Sequence, residues 1–246
     1  METETVKEHK DETTLSYFDK NTPNYTSDRY REILHFINQE GKENASLIDV
    51  GCGDGTVLKA FKDETEIAHL VGMDIADNYL KLAEEKVGCE TFQGSILDSK
   101  LIEKIERTFD YVVVGAILHH LIGDSREESR TLAKQALKNA FELLSPNGYL
   151  IISEPTYSPK ESMDKVFNIK NFITKFTSDR INILGYDNNI GAPVVSYYDK
   201  GIITKMMKEY TVKEPIFEKY KSHTLSLSLR MVGVKETGAL LLIYQK

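Results

Sequence analysis

Two clusters of residues have types and spacing suited to chemistry. The first is Leu47-Ile48-Asp49-Val50-Gly51-Cys52-Gly53-Asp54-Gly55-Thr56-Val57-Leu58, an apolar strand that ends in a turn with three glycines and opens into a helix. Glycine lets the backbone turn sharply and lets a ligand approach it without a Cβ in the way, and the helix start adds unpaired N–H groups. Such a turn suits a nucleotide-like ligand. The second cluster is His119-His120, which follows the β-branched run Phe109-Asp110-Tyr111-Val112-Val113-Val114-Gly115-Ala116. An ordinary histidine, with a pKa of about 6.5, is mostly neutral near pH 7 and accepts a proton.

The glycine spacing separates two ligand classes. Dinucleotide folds use G-x-G-x-x-G, whereas Gly51, Gly53 and Gly55 run G-x-G-x-G with acidic Asp49 in the strand before them. This run resembles the first motif of the class I S-adenosylmethionine-dependent methyltransferases. Their ligand carries a cationic sulfonium and an amino-acid end, which Asp49 and Asp54 suit. Asp74, nineteen residues past Gly55, closes the apolar stretch 69–74 and is placed to accept both ribose hydroxyls. Ile75 would lie against the adenine. After Gly94 the family often has an acidic residue for the adenine amine, but this chain has Ser95, so Ser95 or Asp98 must supply that acceptor. Residues 117–121 resemble the fourth motif, where donor and acceptor meet. Leu144-Ser145-Pro146-Asn147-Gly148-Tyr149-Leu150-Ile151-Ile152 resembles the family's entry to its fifth strand.

The resemblance extends to particular residues. It assigns cofactor contacts to Tyr17, Tyr25, Arg29, Asp49, Gly51, Cys52, Gly53, Asp74, Ile75, Ser95, Ile96 and Gly115. His120 is preferred over His119 as the catalytic base, because the second position resembles the family's more regular histidine. Glu154, Tyr157, Tyr186, Tyr197 and Tyr198 are candidates for the acceptor pocket.

The elements that must position these residues alternate. Strands are expected at 47–50, 69–74, 90–93, 109–116 and 149–155, with helices at 28–37, 56–62, 78–86 and 127–144. Five strand–helix alternations with ligand motifs at the strand ends imply an α/β fold with a doubly wound, mostly parallel sheet. The resemblance completes it as a Rossmann-like, seven-stranded sheet with an antiparallel C-terminal hairpin and a lid insertion after strand 5. The chain reads as a single domain, 1–246: an N-terminal helical cover at 1–40, a cofactor-binding core at 46–155, a lid and acceptor-specificity insertion at 156–209, and C-terminal strands at 210–246. Within the insertion a helix is expected at 162–173, a loop at 185–193 and a helix from 200 to 207. In the tail, strands are expected at 210–218 and 239–244, and the alternating Leu225, Leu227, Leu229 and Met231 form a strand or a helix.

Composition bounds the partners. With 246 residues, 41% apolar and 28% charged, the chain has the make-up of a globular protein, and a net charge of −7 disfavours broad nucleic-acid binding. The charged N-terminus and the lack of a spanning apolar run point to a cytoplasmic protein without a membrane. Two cysteines make neither a disulfide framework nor a metal cage, and two adjacent histidines fall short of the three or four ligands zinc takes. No metal is expected. The fourth-motif region lacks the Asn/Asp-Pro-Pro-aromatic run of nucleic-acid amine methylases, and no Pro-Cys offers a nucleophile for pyrimidine carbon. The resemblance therefore implies methyl transfer from S-adenosylmethionine, leaving S-adenosylhomocysteine, to oxygen or nitrogen of a small-molecule acceptor in biosynthesis. The chain would act as a monomer or homodimer. The alternatives are a tRNA or protein methyltransferase and a non-catalytic S-adenosylmethionine-binding protein.

Overall fold

The computed structural model describes residues 30–174, 194–211 and 213–246. In chain order the elements are α1 (Arg31–Glu40), β1 (Ser46–Val50), α2 (Thr56–Glu64), β2 (His69–Asp74), α3 (Asp77–Val87), β3 (Glu90–Gln93), α4 (Ser99–Lys104) and β4 (Phe109–Gly115). A 3₁₀ turn (Leu118–His120) leads to α5 (Arg126–Glu142), β5 (Leu144–Ser158), α6 (Lys160–Thr174), α7 (Lys200–Met207), β6 (Phe217–Ser222), α8 (Leu227–Met231) and β7 (Glu236–Gln245). The sheet order is β3-β2-β1-β4-β5-β7-β6. The first five strands pair in parallel, and β7 runs antiparallel to both β5 and β6.

Alternation along the strands divides the core between the two faces of the sheet. Ile48, Val50, Val112, Val114, Leu150 and Ile152 point to one face and pack with Ala133, Ala136, Leu137 and Ala140 of α5. Leu47, Tyr111, Val113, Tyr149 and Ile151 point to the other and meet Ile33, Leu34 and Ile37 of α1. Both faces are covered, as a parallel sheet of β-branched strands requires. The small alanines of α5 let that helix lie close to β4. In α7, Ile203, Met206 and Met207 join the α5 side of the core, so this part of 156–209 belongs to the sheet packing.

Several boundaries differ from expectation, each for a local reason. Helix α1 starts at Arg31, with Tyr30 at its N-cap. Residues 145–148, expected as a turn, bulge out between the Phe109–Leu144 and Tyr111–Tyr149 pairs, with Asn147 in the left-handed region at φ 62°. Helix α4 was not expected. It is six residues long and depends on its cap, Asp98, whose Oδ1 accepts from the N–H groups of Lys100 and Leu101. In the tail, the expected strand at 210–218 lies at 217–222 and pairs with β7. Its exposed Glu218, Lys219 and Lys221 suit an edge strand, where charge opposes further pairing. Of the Leu225–Met231 alternation, Leu227–Met231 forms a helix, and Leu229 within it and Leu225 just before it pack into the same cluster with Met163, Val166, Tyr197 and Val234.

Candidate active site

The glycine turn sits at the C-terminal end of β1, beside the ends of β2 and β4. The N–H groups of Gly51 and Cys52 both donate to the Met73 carbonyl, at 2.7 and 3.0 Å, which tie the turn to β2. Gly51 has φ 77°, and a Cβ there would stand 2.3 Å from Cγ2 of Ile117, so the turn and the segment leading to the histidines touch without room for a side chain. Gly53 has φ 52°, and a Cβ on it would meet nothing within 4 Å. Its backbone therefore borders open space.

Two carboxyls converge on this turn. Asp74 ends β2; its Oδ2 accepts from Gly53 N at 2.9 Å and its Oδ1 from Ala76 N at 3.0 Å. Burial raises its pKa, although those N–H groups pull the other way. Asp49 is buried in β1, and burial, with Asp74 beside it, pushes its carboxyl up to about 8. A buried carboxyl beside a half-buried one is costly to ionise, and a ligand bearing a sulfonium or ammonium group would relieve that cost. That donor set, next to the open face of Gly53, fits S-adenosylmethionine. Asp54, by contrast, is committed elsewhere: it accepts from Thr56 N at 3.1 Å and pairs with Lys86. Burial tends to raise its pKa, but Lys86 and Thr56 together hold it below the usual range.

The remaining expected cofactor residues divide between surface and interior. Ile75 is 44% exposed, directly after Asp74. Gly115 lies at the end of β4, with the Tyr30 hydroxyl 3.6 Å from where its Cβ would be. Ser95 closes a turn: its Oγ accepts from Leu97 N at 3.2 Å and its carbonyl from Asp98 N at 2.9 Å. Of the two alternatives for the adenine amine, Asp98 is occupied as the α4 cap. Ile96 packs into the core, and its carbonyl accepts from Asn139 Nδ2 at 2.6 Å. Cys52 is buried against Gly72; burial, followed by Asp49 and Asp74, pushes its thiol far above the usual range, so it is an inert packing group. Tyr17, Tyr25, Arg29 and Tyr186 lie outside the described residues.

Beyond β4 the chain is strained and then tightly held. Ala116 takes φ 58°, a left-handed conformation that costs a non-glycine residue about 1–2 kcal/mol, and its N–H donates to Ser153 O at 2.8 Å. The 3₁₀ turn that follows carries both histidines. Glu154, buried in β5, accepts from Leu118 N through Oε1 at 2.8 Å and bonds His119 Nδ1 through Oε2 at 2.8 Å. Tyr197 stacks on the His119 ring at 5.1 Å and 22°, and Tyr157 meets Tyr197 at 4.2 Å. The His120 ring lies 4.0 Å from that of His119. Burial, reinforced by His119 and only partly offset by Glu154, pushes the His120 pKa well below the ordinary value.

Three of the residues expected to line an acceptor pocket, Glu154, Tyr197 and Tyr198, are buried. Glu154 is 1% exposed and acts on His119 and Leu118. Tyr198 is 2% exposed in the sheet core; its hydroxyl accepts from Ser196 Oγ at 3.0 Å, and burial, opposed by Ser196 and Arg126, pushes it up to about 12. Sequence reasoning missed Arg126 altogether. This buried guanidinium bonds Asp164, Ser196 and the Tyr197 carbonyl. The available signal was an arginine in the first turn of a helix, where the helix dipole disfavours a cation. Among the described residues no group of three or more His, Cys, Asp or Glu could hold a metal ion, and no helix is long and apolar enough to cross a membrane.

The comparisons agree with this geometry. A methyltransferase-domain family matches residues 24–210. Carboxy-S-adenosyl-L-methionine synthase 1 of Yersinia pseudotuberculosis is 24% identical over 120 residues, 46% of this chain and 50% of that protein. Probable tRNA methyltransferase 9B of Homo sapiens is 27% identical over 141 residues, 57% of this chain and 27% of that protein. The chain thus spans half or less of the length of these curated relatives. Among solved structures, N-methyltransferase NodS of Bradyrhizobium japonicum WM9 in complex with S-adenosyl-L-homocysteine shares the fold at a TM-score of 0.59 and 13% identity, covering 95% of this chain and 98% of that one. The plantazolicin methyltransferase BamL, in complex with a triazolic desmethylPZN analog and S-adenosylhomocysteine, gives 0.58 at 11% identity, covering 96% and 90%. The family match spans most of the chain, and the seven-stranded sheet is the fold of a methyltransferase solved with S-adenosyl-L-homocysteine, which leads to one conclusion: the chain belongs to the methyltransferase-domain family.

Proposed function

We propose that this chain methylates an oxygen or nitrogen of a small-molecule acceptor, with His119 as the general base. The observation that carries the reading is the Glu154–His119 pair, one tight turn from the Gly51 contact with Ile117. S-adenosylmethionine supplies a methyl group already activated on its sulfonium. The chain's own residues then have three tasks: hold the donor, align the acceptor, and take the acceptor's proton. Asp49, Asp74 and the open backbone of Gly53 serve the first. Tyr157, Tyr197 and the histidine rings form an aromatic wall for the second, and alignment of this kind is worth about 7–11 kcal/mol.

The third task favours His119 over His120. A carboxylate on Nδ1 holds the proton on that nitrogen and makes Nε2 the basic one, the arrangement that orients catalytic histidines elsewhere. The Leu118 N–H on the other Glu154 oxygen supports the ionised carboxylate. His120, with its pKa pushed down, is the weaker base. A small acceptor is supported by the net charge of −7 and by the name of one fold neighbour, the plantazolicin methyltransferase solved with a desmethylPZN analog.

The test is methyl transfer from labelled S-adenosylmethionine to a panel of small amines and phenols, with bulk tRNA as a separate arm. Transfer to a small acceptor should fall by about 10²–10⁴-fold in His119→Ala, the usual worth of one positioned base, while S-adenosylhomocysteine still binds. Transfer that survives His119→Ala but is lost in His120→Ala would return the base to His120. Labelling of tRNA alone would overturn the small-molecule reading.

A further inference from the structure

Away from the glycine turn, one buried charge has each of its three guanidinium nitrogens in a hydrogen bond. Arg126 opens α5, and its Nε donates to Asp164 Oδ1 of α6 at 2.8 Å. One terminal nitrogen donates to Ser196 Oγ and the other to the Tyr197 carbonyl at 2.6 Å. The guanidinium also lies over the rings of Phe167 and Tyr198, at 5.7 and 5.3 Å. Arg130, one turn along, donates to the same Asp164 oxygen at 2.9 Å. A guanidinium is buried only where pairing and hydrogen bonds offset its desolvation, and its place in the first turn of α5 opposes the helix dipole. Helix formation therefore does not explain this residue.

What Arg126 holds is the chain that covers His119. Ser196 N donates to the His119 carbonyl at 2.8 Å, and the Tyr197 ring stacks on the His119 ring. Tyr198 continues this path by bridging to Thr156 of β5. We propose that Arg126 is a positioning residue: it fixes Tyr197 as the wall against which His119 and the acceptor are held. The role rests on the reading that His119 faces the acceptor. It calls for arginine, since a planar fork reaches Asp164, Ser196 and Tyr197 in three fixed directions, which a lysine ammonium on a flexible stem does not reproduce.

The test is nuclear magnetic resonance of the histidine ring protons in the full-length protein with S-adenosylhomocysteine bound, the Tyr197→Leu variant identifying the His119 signals. In the wild type the stacked Tyr197 face should shield those protons. In Arg126→Gln and Arg126→Lys the shielding should be lost while S-adenosylhomocysteine affinity by calorimetry stays within about twofold, as for independent sites. In the transfer assay Arg126→Lys should lower kcat and leave the KM for S-adenosylmethionine unchanged. Unchanged shielding in folded Arg126→Gln would overturn the proposal, as would loss of shielding together with loss of S-adenosylhomocysteine binding. Should Arg126→Gln not fold, Asp164→Asn takes the carboxylate from the guanidinium with little change of shape; reduced shielding there supports the role and wild-type shielding overturns it. Failure of the acceptor reading shows separately, as methyl transfer that survives His119→Ala, and leaves the shielding result standing.

Discussion

At the residue scale, Asp49 ties proton binding to ligand binding. Its ordinary pKa is 3.8, and burial with Asp74 nearby pushes it up to about 8. The unfolded chain ionises this group above about pH 4, whereas the ligand-free fold keeps the proton until about pH 8, so folding takes up a proton across that window. The group's contribution to stability is therefore complete below about pH 4 and is lost as the pH rises towards 8. An ammonium-bearing ligand reverses the preference, because it favours the carboxylate. Binding of S-adenosylhomocysteine should then release a proton, and affinity should rise between about pH 6 and 8, by at most about tenfold per unit, and flatten above. Calorimetry in buffers of different ionisation enthalpy reads that proton directly. Asp49→Asn should bind weakly with no pH slope. A flat wild-type profile over the same range would show that Asp49 is not the linked group.

At the element scale, α5 shows which forces dominate. Its inner stripe of Ala133, Ala136, Leu137 and Ala140 is packed on the sheet, while its outer face carries pairs such as Lys138–Glu142 at 3.6 Å. An exposed pair at that spacing is worth at most about 0.5 kcal/mol, whereas an overpacked core position costs about 1–3 kcal/mol. Urea denaturation should accordingly find Ala136→Leu destabilised by the larger amount and Lys138→Ala nearly unchanged; the reverse order would mean that α5 is not held by its small inner face. The same contrast explains what the sequence made legible. Strands such as 69–74 and 109–115 were readable because their apolar runs end at an acidic residue or a glycine, and the glycine turn and Asp74 stand at the strand ends their spacing implied. Helix α4 was not readable, since six residues with no buried side chain carry no periodicity and depend on the Asp98 cap. Leu225 to Met231 stayed open between strand and helix because every second residue is apolar there, and what decides it is packing, with Leu225 and Leu229 in one cluster. Within the site, the carboxylate partner of His119 was hidden for a similar reason: Glu154 lies thirty-five residues from His119, and only the register of β5 brings it there. Arg126 was hidden too, because its partners Asp164, Ser196 and Tyr197 come from α6 and the segment before α7.

At the scale of the whole molecule, the site draws on elements that cannot unfold separately. Gly51 is tied to β2 through Met73 and packed against Ile117 after β4, and Gly115 at the end of β4 lies under Tyr30 at the start of α1. A ligand held between the ends of β1, β2 and β4 touches the three adjacent strands around which both faces of the core are built. Binding should therefore stabilise the entire fold, not one loop. A ligand that binds only the folded state, present at a hundredfold over its Kd, adds about 2.7 kcal/mol. In a chain of 246 residues each kcal/mol moves the Tm by about 2–4 °C, so S-adenosylhomocysteine should raise it by about 5–10 °C in a single cooperative transition. NAD, whose fingerprint requires a different glycine spacing, should leave the Tm where it is. Asp74→Ala should abolish the shift, since it removes the carboxylate that holds Gly53 and borders its open face. Thermal unfolding followed by circular dichroism decides the matter: an equal shift in Asp74→Ala would place the ligand elsewhere on the molecule, and a shift confined to one of two transitions would show that the strand ends and the rest of the sheet are not one cooperative unit.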